Sequence, residues 1–313
     1  MQIYNQIQQA RPGQTRSAVA LGYFDGLHCG HEAVIRRAVG YAKEQLCPAV
    51  FTFTMEKIHP KQKQLGSLLL TDADKYALLE SWGVQLVLVP EFSAFQKMDA
   101  ETFVEEILVH CLNAEVVCCG ADFRFGKNAA AGVSELERLC AVHGIRTELV
   151  SEVQVDGERV SSTRIRALLK EGAVERANQL LGRAFGYRFE VVHGKQLGRT
   201  IDSPTINQPF PQGFVPLRYG VYASICFVEG VWQPAVTNIG IRPTVEQTDA
   251  VNSETYIVGF SGDLYGQKVE VRLLRFLRPE QRFPNVEALK ARIQANARTS
   301  ALIAQEYLKK HSL

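Results

Sequence analysis

The chain has 313 residues and a formal net charge of +2 at pH 7, with 35 Lys and Arg against 33 Asp and Glu. This length suits two domains with separate cores, and the near balance of charge gives no reason to expect a nucleic-acid or acidic-membrane partner. No apolar run reaches about 18 residues and no secretory signal is recognisable, so we expect no transmembrane helix. Seven cysteines without metal-ligand spacing indicate structural thiols in a reducing cytoplasm.

Short apolar runs alternate with helical patterns through the first half of the chain. Strands are predicted at Ala18–Leu21, Ala49–Thr54, Gln85–Val89, Glu115–Cys119 and Thr147–Val150. Helices are predicted at Glu32–Leu46, Asp74–Trp82, Ala100–Leu112 and Ser134–His143, with N-caps at Thr71 and Asp99 and C-terminal stops at Gly83 and Gly144. This alternation indicates a parallel sheet with helices on both faces and ligands at the carboxyl ends of its strands.

The most informative stretch, Gly22-Tyr-Phe-Asp-Gly-Leu-His-Cys-Gly-His31, lies between the first of these strands and the first helix. A strand, a glycine-rich turn and a helix in this order aim backbone N–H groups and a positive dipole end at an anion. Because His28 and His31 flank Gly30, both imidazoles can donate to the same phosphate oxygens. The turn therefore predicts a site for ATP phosphates in nucleotidyl transfer, and the alternative is a polar turn with two solvated histidines.

The HxGH pattern after a first strand resembles the nucleotidyltransferase superfamily. The longer GxFDGxHxGH form resembles prokaryotic bifunctional riboflavin kinase/FAD synthetases. That resemblance implies that His28 and His31 are catalytic and stabilise charge on the transferred nucleotidyl group. The ATP-binding residues that it implies in this turn are Gly22, Phe24, Asp25, Gly26 and Gly30.

A second motif, Gly120-Ala-Asp-Phe-Arg-Phe-Gly126, follows the fourth predicted strand and so lies at the same edge of the sheet. Its two aromatic residues alternate with Asp122 and Arg124. The aromatic residues offer an apolar surface for a flavin ring, and the charged residues offer ionic groups for its phosphate. The motif resembles the GxDFxFG motif of the family, which implies that Asp122, Phe123, Arg124 and Phe125 bind the flavin. The alternative is a loop whose phenylalanines only anchor it to the core.

A third motif, Ser161-Ser-Thr-Arg-Ile-Arg166, begins a predicted helix whose first N–H groups and Arg166 can bind ATP phosphate. It resembles the SSTxxR motif of the family, which implies that Ser162, Thr163 and Arg166 contact ATP. The alternative is an ordinary capped helix with an exposed pair of arginines.

One loop departs from the family pattern. The family usually continues its second strand into an acidic-Pro-His-Pro turn that helps to hold the flavin, whereas this chain reads Met55-Glu-Lys-Ile-His-Pro60. His59 is the flavin-binding residue that the resemblance implies here, in a loop that is either longer than usual or has lost this contact.

The pattern changes after about Gly182. Two short helices, near Thr163–Lys170 and Ala173–Leu181, precede predicted strands at Tyr187–Val192, Gly220–Val228, Val231–Asn238, Glu254–Phe260 and Lys268–Phe276. Glu229-Gly230 is a predicted tight turn, and Asn285 to His311 forms one or two helices. Consecutive strands without intervening helices predict a small antiparallel barrel or sandwich. We therefore expect domains at residues 1–183 and 184–313.

The stretch from Gly194 to Asn207 carries the second strong motif. Its glycine-rich start lets the backbone approach phosphates closely. Thr205 and Asn207 place a hydroxyl and an amide oxygen on the same side of an extended segment, and both are hard ligands suited to Mg²⁺. The stretch resembles the flavokinase PTxN motif, with Asp202-Ser203 in place of the usual Gly-Phe. The resemblance implies ATP contacts at Gly194 and Gly198 and Mg²⁺ ligands at Thr205 and Asn207; the alternative is an ordinary Pro-Thr loop.

A hydroxyl that attacks a γ-phosphate benefits from a carboxylate that accepts its proton. Glu254 resembles the flavokinase glutamate with that role, and the alternative is a solvent-facing strand carboxylate. Three further segments, Asn238–Thr244, Asp263–Gly266 and Leu277–Phe283, resemble the NIGxRPT, DLYG and LRPExxF segments of the family in the correct order.

Together these motifs cover nearly the whole chain and imply a Rossmann-like α/β nucleotidyltransferase domain followed by an antiparallel β-barrel riboflavin kinase domain. The implied activities are phosphorylation of riboflavin to FMN and adenylylation of FMN to FAD, with ATP and Mg²⁺ at both sites. Two other hypotheses stay open. One is a riboflavin kinase whose transferase half is inactive or uses another substrate, and the other is a flavin-binding or regulatory barrel attached to a different transferase. Only small-molecule partners are expected, and the oligomeric state is not predicted.

Overall fold

Two units make up the part of the chain that the computed structural model describes, which is residues 1–7, 15–54, 67–194, 205–242 and 250–311. The N-terminal unit comprises Met1–Ser67 and Thr71–Ser162, and the C-terminal unit comprises Leu68–Leu70 and Thr163–Leu313. No helix in the described ranges has both the length and the hydropathy needed to cross a membrane. The expected domain boundary between residues 183 and 184 stays a prediction.

A six-stranded parallel sheet forms the centre of the N-terminal unit. Its strands are β1 (Gln2–Tyr4), β2 (Ser17–Leu21), β3 (Cys47–Phe51), β4 (Leu86–Leu88), β5 (Ala114–Gly120) and β6 (Arg146–Val150), in the order β1-β4-β3-β2-β5-β6. These pairings confirm the predicted parallel sheet. It was predictable because strands buried on both faces are near-continuous apolar runs. β1 is not among the predicted strands, because this three-residue edge strand is mostly exposed and has no such run. A short hairpin follows the sheet, made of β7 (Gln154–Val155) and β8 (Glu158–Arg159).

Helices connect the strands of this sheet. They are α1 (Cys29–Gly40), α2 (Asp72–Ser81), α3 (Ala100–Phe103) and α4 (Val133–Val142). The predicted N-caps are confirmed, since Asp99 Oδ1 accepts a hydrogen bond from the Thr102 N–H at 2.8 Å and Thr71 Oγ1 accepts one from the Asp74 N–H at 3.2 Å.

Two predicted helices are regular over only part of their length. The predicted helix from 32 to 46 begins earlier and ends at Gly40, after which Tyr41–Glu44 forms a 3₁₀ turn. Beyond α3, Val104–Cys111 winds as a π-helix rather than an α-helix. The apolar pattern predicts helical residues in both cases, but it does not separate one helical hydrogen-bond pattern from another.

A second six-stranded sheet, antiparallel throughout, forms the C-terminal unit. Its strands are β9 (Phe185–Glu190), β10 (Thr205–Pro209), β11 (Gly220–Val228), β12 (Val231–Arg242), β13 (Ala250–Ile257) and β14 (Lys268–Arg278), in the order β10-β13-β12-β11-β14-β9. The predicted turn at Glu229-Gly230 joins β11 to β12, and both residues have positive φ angles, +51° and +81°, as such two-residue hairpin turns require.

The edges of this sheet curl toward each other. The side chain of Gln208 on β10 is buried and donates to the carbonyls of Phe189 at 2.7 Å and Val269 at 2.8 Å, which lie on the opposite edge strand β9 and on its neighbour β14. The N–H of Val192, beyond β9, donates to the Asn207 carbonyl at 2.8 Å. The predicted antiparallel barrel is confirmed as a curled half-barrel.

Three helices belong largely to the C-terminal unit, namely α5 (Ser162–Glu171), α6 (Val174–Leu181) and α7 (Val286–His311). The single long helix α7 packs on β11, β12 and β14. Its Ser300 is fully buried, donates to the Ala235 carbonyl at 2.5 Å and accepts from the Ser224 N–H at 3.2 Å. This polar contact fixes the helix to the sheet.

Candidate functional site

The turn between β2 and α1 is held in an unusual backbone conformation. Phe24 has φ +49° and Leu27 has φ +45°, although both carry bulky side chains. The Phe24 ring is 1% exposed and lies directly over Gly22, where a Cβ atom would come within 2.7 Å of the ring. Gly22 is therefore required by a close approach, and the turn is built around a buried aromatic ring.

The two histidines of the turn lie face to face. Their ring centroids are 3.6 Å apart, and His28 is the N-cap of α1, where its Nδ1 accepts from the His31 N–H at 3.2 Å. Because Nδ1 accepts a hydrogen bond, the proton of a neutral His28 ring is on Nε2. A Cβ at Gly30 would approach the same ring at 3.2 Å, so the second glycine lets the imidazole lie close to the helix.

Asp25 connects this turn to the start of α5. Its Oδ1 accepts from the Gly26 N–H at 2.9 Å and from the Ser162 hydroxyl at 2.6 Å. The structure thus brings together the second serine of the SSTxxR motif, Ser162, and the HxGH turn. Thr163 and Arg166 follow on the same helix, within the C-terminal unit.

The GADFRFG motif follows β5, which pairs directly with β2, so its loop and the HxGH turn leave the same edge of the sheet. Its two phenylalanines do not share one surface. Phe125 is 5% exposed and packs on Phe103 with ring centroids 5.4 Å apart, while Phe123 is only half-buried and stacks on Phe125 at 5.8 Å. Phe125 thus anchors the loop to the core, and Phe123 is the phenylalanine nearer the surface.

The charged residues of this motif already have protein partners. Asp122 accepts from Arg159 Nη2 at 2.6 Å, but both side chains are more than half exposed, and such ion pairs stabilise little. Arg124 donates from Nε and Nη2 to the carbonyls of Ala129 and Ala130, at 3.0 and 3.1 Å. A cleft of about 1320 Å³ is lined by Asp122, Phe123 and Arg124. Two hydrogen bonds from Arg124 hold the loop that forms the wall of this cleft. The exposed ion pair of Asp122 with Arg159 costs little to break, so Asp122 is available for another partner.

In the C-terminal unit, three polar residues form a row across adjacent strands. Asn207 on β10 lies directly opposite Glu254 on β13, and Glu254 lies opposite Asn238 on β12. Side chains of directly opposed residues share one face, with Cβ atoms about 5 Å apart. Thr205 lies two residues before Asn207 and shares that face. The sheet register therefore brings the predicted magnesium ligands beside the predicted base.

The amide of Asn207 is the most enclosed part of this group. The residue is 6% exposed, its Oδ1 accepts from Asn252 Nδ2 at 3.1 Å, and a Cβ at Gly194 would overlap its amide. Asn252 Oδ1 is buried and accepts no hydrogen bond from the described residues. Within the described residues, this acceptor oxygen beside Asn207 is therefore open to a further partner.

Two residues near these sites are missed by the sequence analysis. Asn252 lies two positions before Glu254, so period-two alternation along the strand would have found it. Lys75 on α2 is 6% exposed, and its Nζ donates to the Tyr23 carbonyl at 3.1 Å and to Thr52 Oγ1 at 3.0 Å. Burial lowers the pKa of Lys75 to about 8. Two other predicted site residues, His59 and Gly198, lie outside the described residues.

Comparison with known proteins identifies the two units. A family model described as FAD synthetase matches residues 10–164, and one described as riboflavin kinase matches residues 181–303. A bifunctional riboflavin kinase/FMN adenylyltransferase from Pseudomonas fluorescens is 33% identical over 306 residues, which cover 97% of this chain and 98% of that protein. The chain belongs to the bifunctional riboflavin kinase/FMN adenylyltransferase family.

Further matches also extend over most of the chain. A bifunctional riboflavin kinase/FMN adenylyltransferase of Listeria monocytogenes is 33% identical over 284 residues and 88% of each chain. A crystal structure from Streptococcus pneumoniae, described as a macrolide-efflux protein, has a TM-score of 0.84 and 27% identity, and the alignment covers 95% of this chain and 97% of that one. The family members and this structure therefore match both units.

Proposed function

We propose that this chain phosphorylates riboflavin to FMN with ATP and then adenylylates FMN to FAD with release of pyrophosphate. The observation that carries the proposal is that two different family models match consecutive parts of one chain, each over the unit that holds the corresponding motifs. We assign the adenylyltransferase to residues 1–183 and the kinase to residues 184–313. The transferase, kinase and nucleotidyltransferase chemistry of the family requires nothing beyond small-molecule substrates.

In the kinase step, Glu254 accepts the proton of the ribityl hydroxyl while that oxygen attacks the γ-phosphorus of ATP. The new O–P bond forms as the bond to the β-phosphate oxygen breaks, and ADP leaves. Glu254 suits this role because its carboxylate is exposed while its backbone is fixed between two hydrogen-bonded strands. Asn207 and Asn238, on either side of it, carry no charge that would compete for the proton.

The oxygen atoms around Asn207 fit a magnesium ion. Thr205 Oγ1, Asn207 Oδ1 and Asn252 Oδ1, which has no donor among the described residues, are hard neutral ligands, and Glu254 adds a carboxylate nearby. The described residues contain no cluster of three His, Cys, Asp or Glu side chains able to hold a metal, so substrate phosphates would supply the remaining ligands. When bound, Mg²⁺ would neutralise phosphate charge, and Thr205 and Asn207 would set its position.

In the transferase step, a phosphate oxygen of FMN attacks the α-phosphorus of ATP and pyrophosphate leaves. His28 donates from Nε2 to the phosphate oxygens, because its Nδ1 is occupied by the His31 N–H. The N-terminus of α1 adds a positive dipole end at the same place. Gly22, Gly26 and Gly30 allow the phosphates to approach the backbone, and Ser162 contacts the nucleotide from the start of α5. The ATP contacts of Thr163 and Arg166 stay predictions from the sequence.

The flavin of FMN occupies the cleft beside the GADFRFG loop. Phe123 provides the aromatic contact, Asp122 a polar one, and Arg124 keeps the loop in shape through its carbonyl bonds. Phe125 acts from the core beneath Phe123, so we propose a supporting role for it rather than direct contact. His59 completes the flavin site only as a prediction from the sequence.

A cytoplasmic location and the lack of nucleic-acid or membrane partners stay predictions from the sequence. The seven cysteines are all free thiols, which suits a reducing compartment.

The two steps are tested separately on the full chain with matched variants. With riboflavin, ATP and Mg²⁺, Glu254→Gln should abolish FMN formation, whereas Glu190→Gln, an exposed strand glutamate, should not. With FMN supplied instead, His28→Asn should abolish FAD formation, whereas His143→Asn, at an exposed helix end, should not. FMN formation without FAD in the wild-type chain would establish the kinase-only alternative. Unchanged FMN formation by Glu254→Gln would contradict the assigned base.

A further inference from the structure

A buried lysine lies beneath the nucleotide turn of the N-terminal unit. Lysine is almost never fully buried unless its charge is paired, because removing the ammonium from water is costly. Lys75 is nevertheless only 6% exposed, on a helix that neither the HxGH motif nor the GADFRFG motif includes. A group retained at such a cost requires a compensating role.

The ammonium is one of two donors to a single backbone carbonyl. Tyr23 O accepts from Lys75 Nζ at 3.1 Å and from the Thr52 hydroxyl at 2.6 Å. Lys75 Nζ also donates to Thr52 Oγ1 at 3.0 Å, so the three groups form a closed arrangement. Thr52 is itself fully buried at the end of β3. The carbonyl is therefore fixed from both the helix and the sheet.

This carbonyl immediately precedes the strained part of the turn. Phe24, with φ +49°, follows Tyr23 in the chain, and non-glycine residues keep such angles only where their surroundings over-determine them. The Phe24 ring meets the His31 ring edge-on, with centroids 5.3 Å apart and an interplanar angle of 87°. His31 in turn stacks on His28 at 3.6 Å. A continuous series of contacts thus connects Lys75 to both histidines.

The charge of Lys75 also suits an anion site. The carboxylates of Asp72, on the same helix, and Asp25, in the turn, stabilise the protonated form of Lys75. The centroid of the Tyr23 ring lies 5.7 Å from Nζ. Burial lowers the pKa only to about 8, so the side chain is mostly protonated at neutral pH. A cation at this depth is poorly screened by solvent and attracts the phosphates that the turn receives.

We propose that Lys75 is a positioning residue for adenylyl transfer, which holds the Tyr23 carbonyl and thereby keeps Phe24, His31 and His28 in their places. This inference rests on the proposed FMN adenylyltransferase activity of the N-terminal unit. Lys75 touches neither nucleotide nor flavin. It acts through the turn, so its loss should affect the rate of the chemical step more than substrate binding.

The test compares Lys75→Met with Lys43→Met, an exposed lysine of the same unit, in the full chain. With FMN and ATP, Lys75→Met should lower kcat for FAD formation at least about tenfold, because small misplacements of catalytic groups have effects of this size. The KM for ATP should rise by a smaller factor than kcat falls, since the turn keeps its own contacts with the phosphates. FMN formation from riboflavin and ATP should be unchanged and serves as the internal control.

Thr52→Val removes the second donor to the same carbonyl and gives an independent test if Lys75→Met folds poorly. It should also lower kcat for FAD formation, and the effects of the two substitutions together should be smaller than their product, because both act on one carbonyl. A kcat that neither variant changes would overturn the proposal. So would a loss of FAD formation that only follows the loss of folded protein, measured by Trp82 fluorescence in a Trp232→Phe background.

These outcomes are separable from failure of the proposed function. If the wild-type chain makes no FAD from FMN, the adenylyltransferase assignment itself is refuted and the proposal for Lys75 is refuted with it. If the wild-type chain makes FAD and both variants match it, only the proposal for Lys75 is refuted.

Discussion

Burial of the Lys75 ammonium should make the stability of the N-terminal unit depend on pH in a specific direction. Its pKa falls from an ordinary 10.5 to about 8, mainly through desolvation. Each pKa unit corresponds to about 1.4 kcal/mol, so burial of the protonated lysine lowers the free energy of unfolding by about 3 kcal/mol. Because the unfolded chain binds the proton more tightly, this cost is fully present below about pH 8. It disappears as the pH rises toward 10.5.

The assay uses Lys75→Met as the reference, since it lacks the titrating group but fills similar volume. The chain has two tryptophans, Trp82 in the N-terminal unit and Trp232 in the C-terminal unit. In a Trp232→Phe background, Trp82 fluorescence therefore reports urea unfolding of the N-terminal unit alone. Between pH 7.5 and pH 10.5, roughly the range of the shift, the unfolding free energy of the lysine form should rise by about 3 kcal/mol relative to the methionine form.

The comparison with a matched variant removes the contribution of other titrating groups. Burial raises the pKa of Tyr76 to about 12, and the thiols of Cys118 and Cys119 are raised to about 12 as well, but these groups are the same in both proteins. If the two proteins change in parallel across this pH range, Lys75 does not titrate between the two values and the account of its burial is wrong.

Three further predictions concern other parts of the chain. Gly22→Ala places a Cβ 2.7 Å from the Phe24 ring and should abolish FAD formation while leaving the kinase intact, as single-step assays would show; retained FAD formation would refute the packing argument. Asn207→Ala should raise the Mg²⁺ concentration needed for half-maximal FMN formation severalfold, and an unchanged magnesium titration would exclude it as a ligand. Thr237 Oγ1 lies 2.8 Å from Ser224 Oγ and 2.9 Å from Thr255 Oγ1, so Thr237→Val should destabilise the C-terminal unit by about 1–3 kcal/mol, measured by urea unfolding through Trp232; no change would mean that the buried hydroxyls need no partner there.

The fold is predictable where local sequence decides it. Strands such as β2 and β5 are nearly continuous apolar runs, and the caps at Thr71 and Asp99 are chosen by side chains that bond to N–H groups three residues away. The π-helical turns after Phe103 are not predictable in this way, because the same apolar pattern suits several helical hydrogen-bond patterns. Neither is β1, whose partner among the described strands is β4, more than 80 residues further along the chain.

The candidate sites likewise contain residues that a local motif predicts and residues that depend on contacts between distant segments. The HxGH turn is a local motif, so its glycines and histidines can be found from spacing alone. The pairing of Asn207 with Glu254 depends on strand register between distant segments, and the ion pair of Asp122 with Arg159 depends on a hairpin that the apolar pattern does not indicate. Lys75 has the helical spacing to Leu79 of a buried face, but a lysine there is normally read as exposed.

The most direct test of the account is a time course of flavin products with purified chain, riboflavin, ATP and Mg²⁺, separated by chromatography. The account predicts that FMN accumulates first and FAD follows from it, with both products made by one polypeptide. FMN that is never converted would contradict the adenylyltransferase assignment, and unchanged riboflavin would contradict the account as a whole.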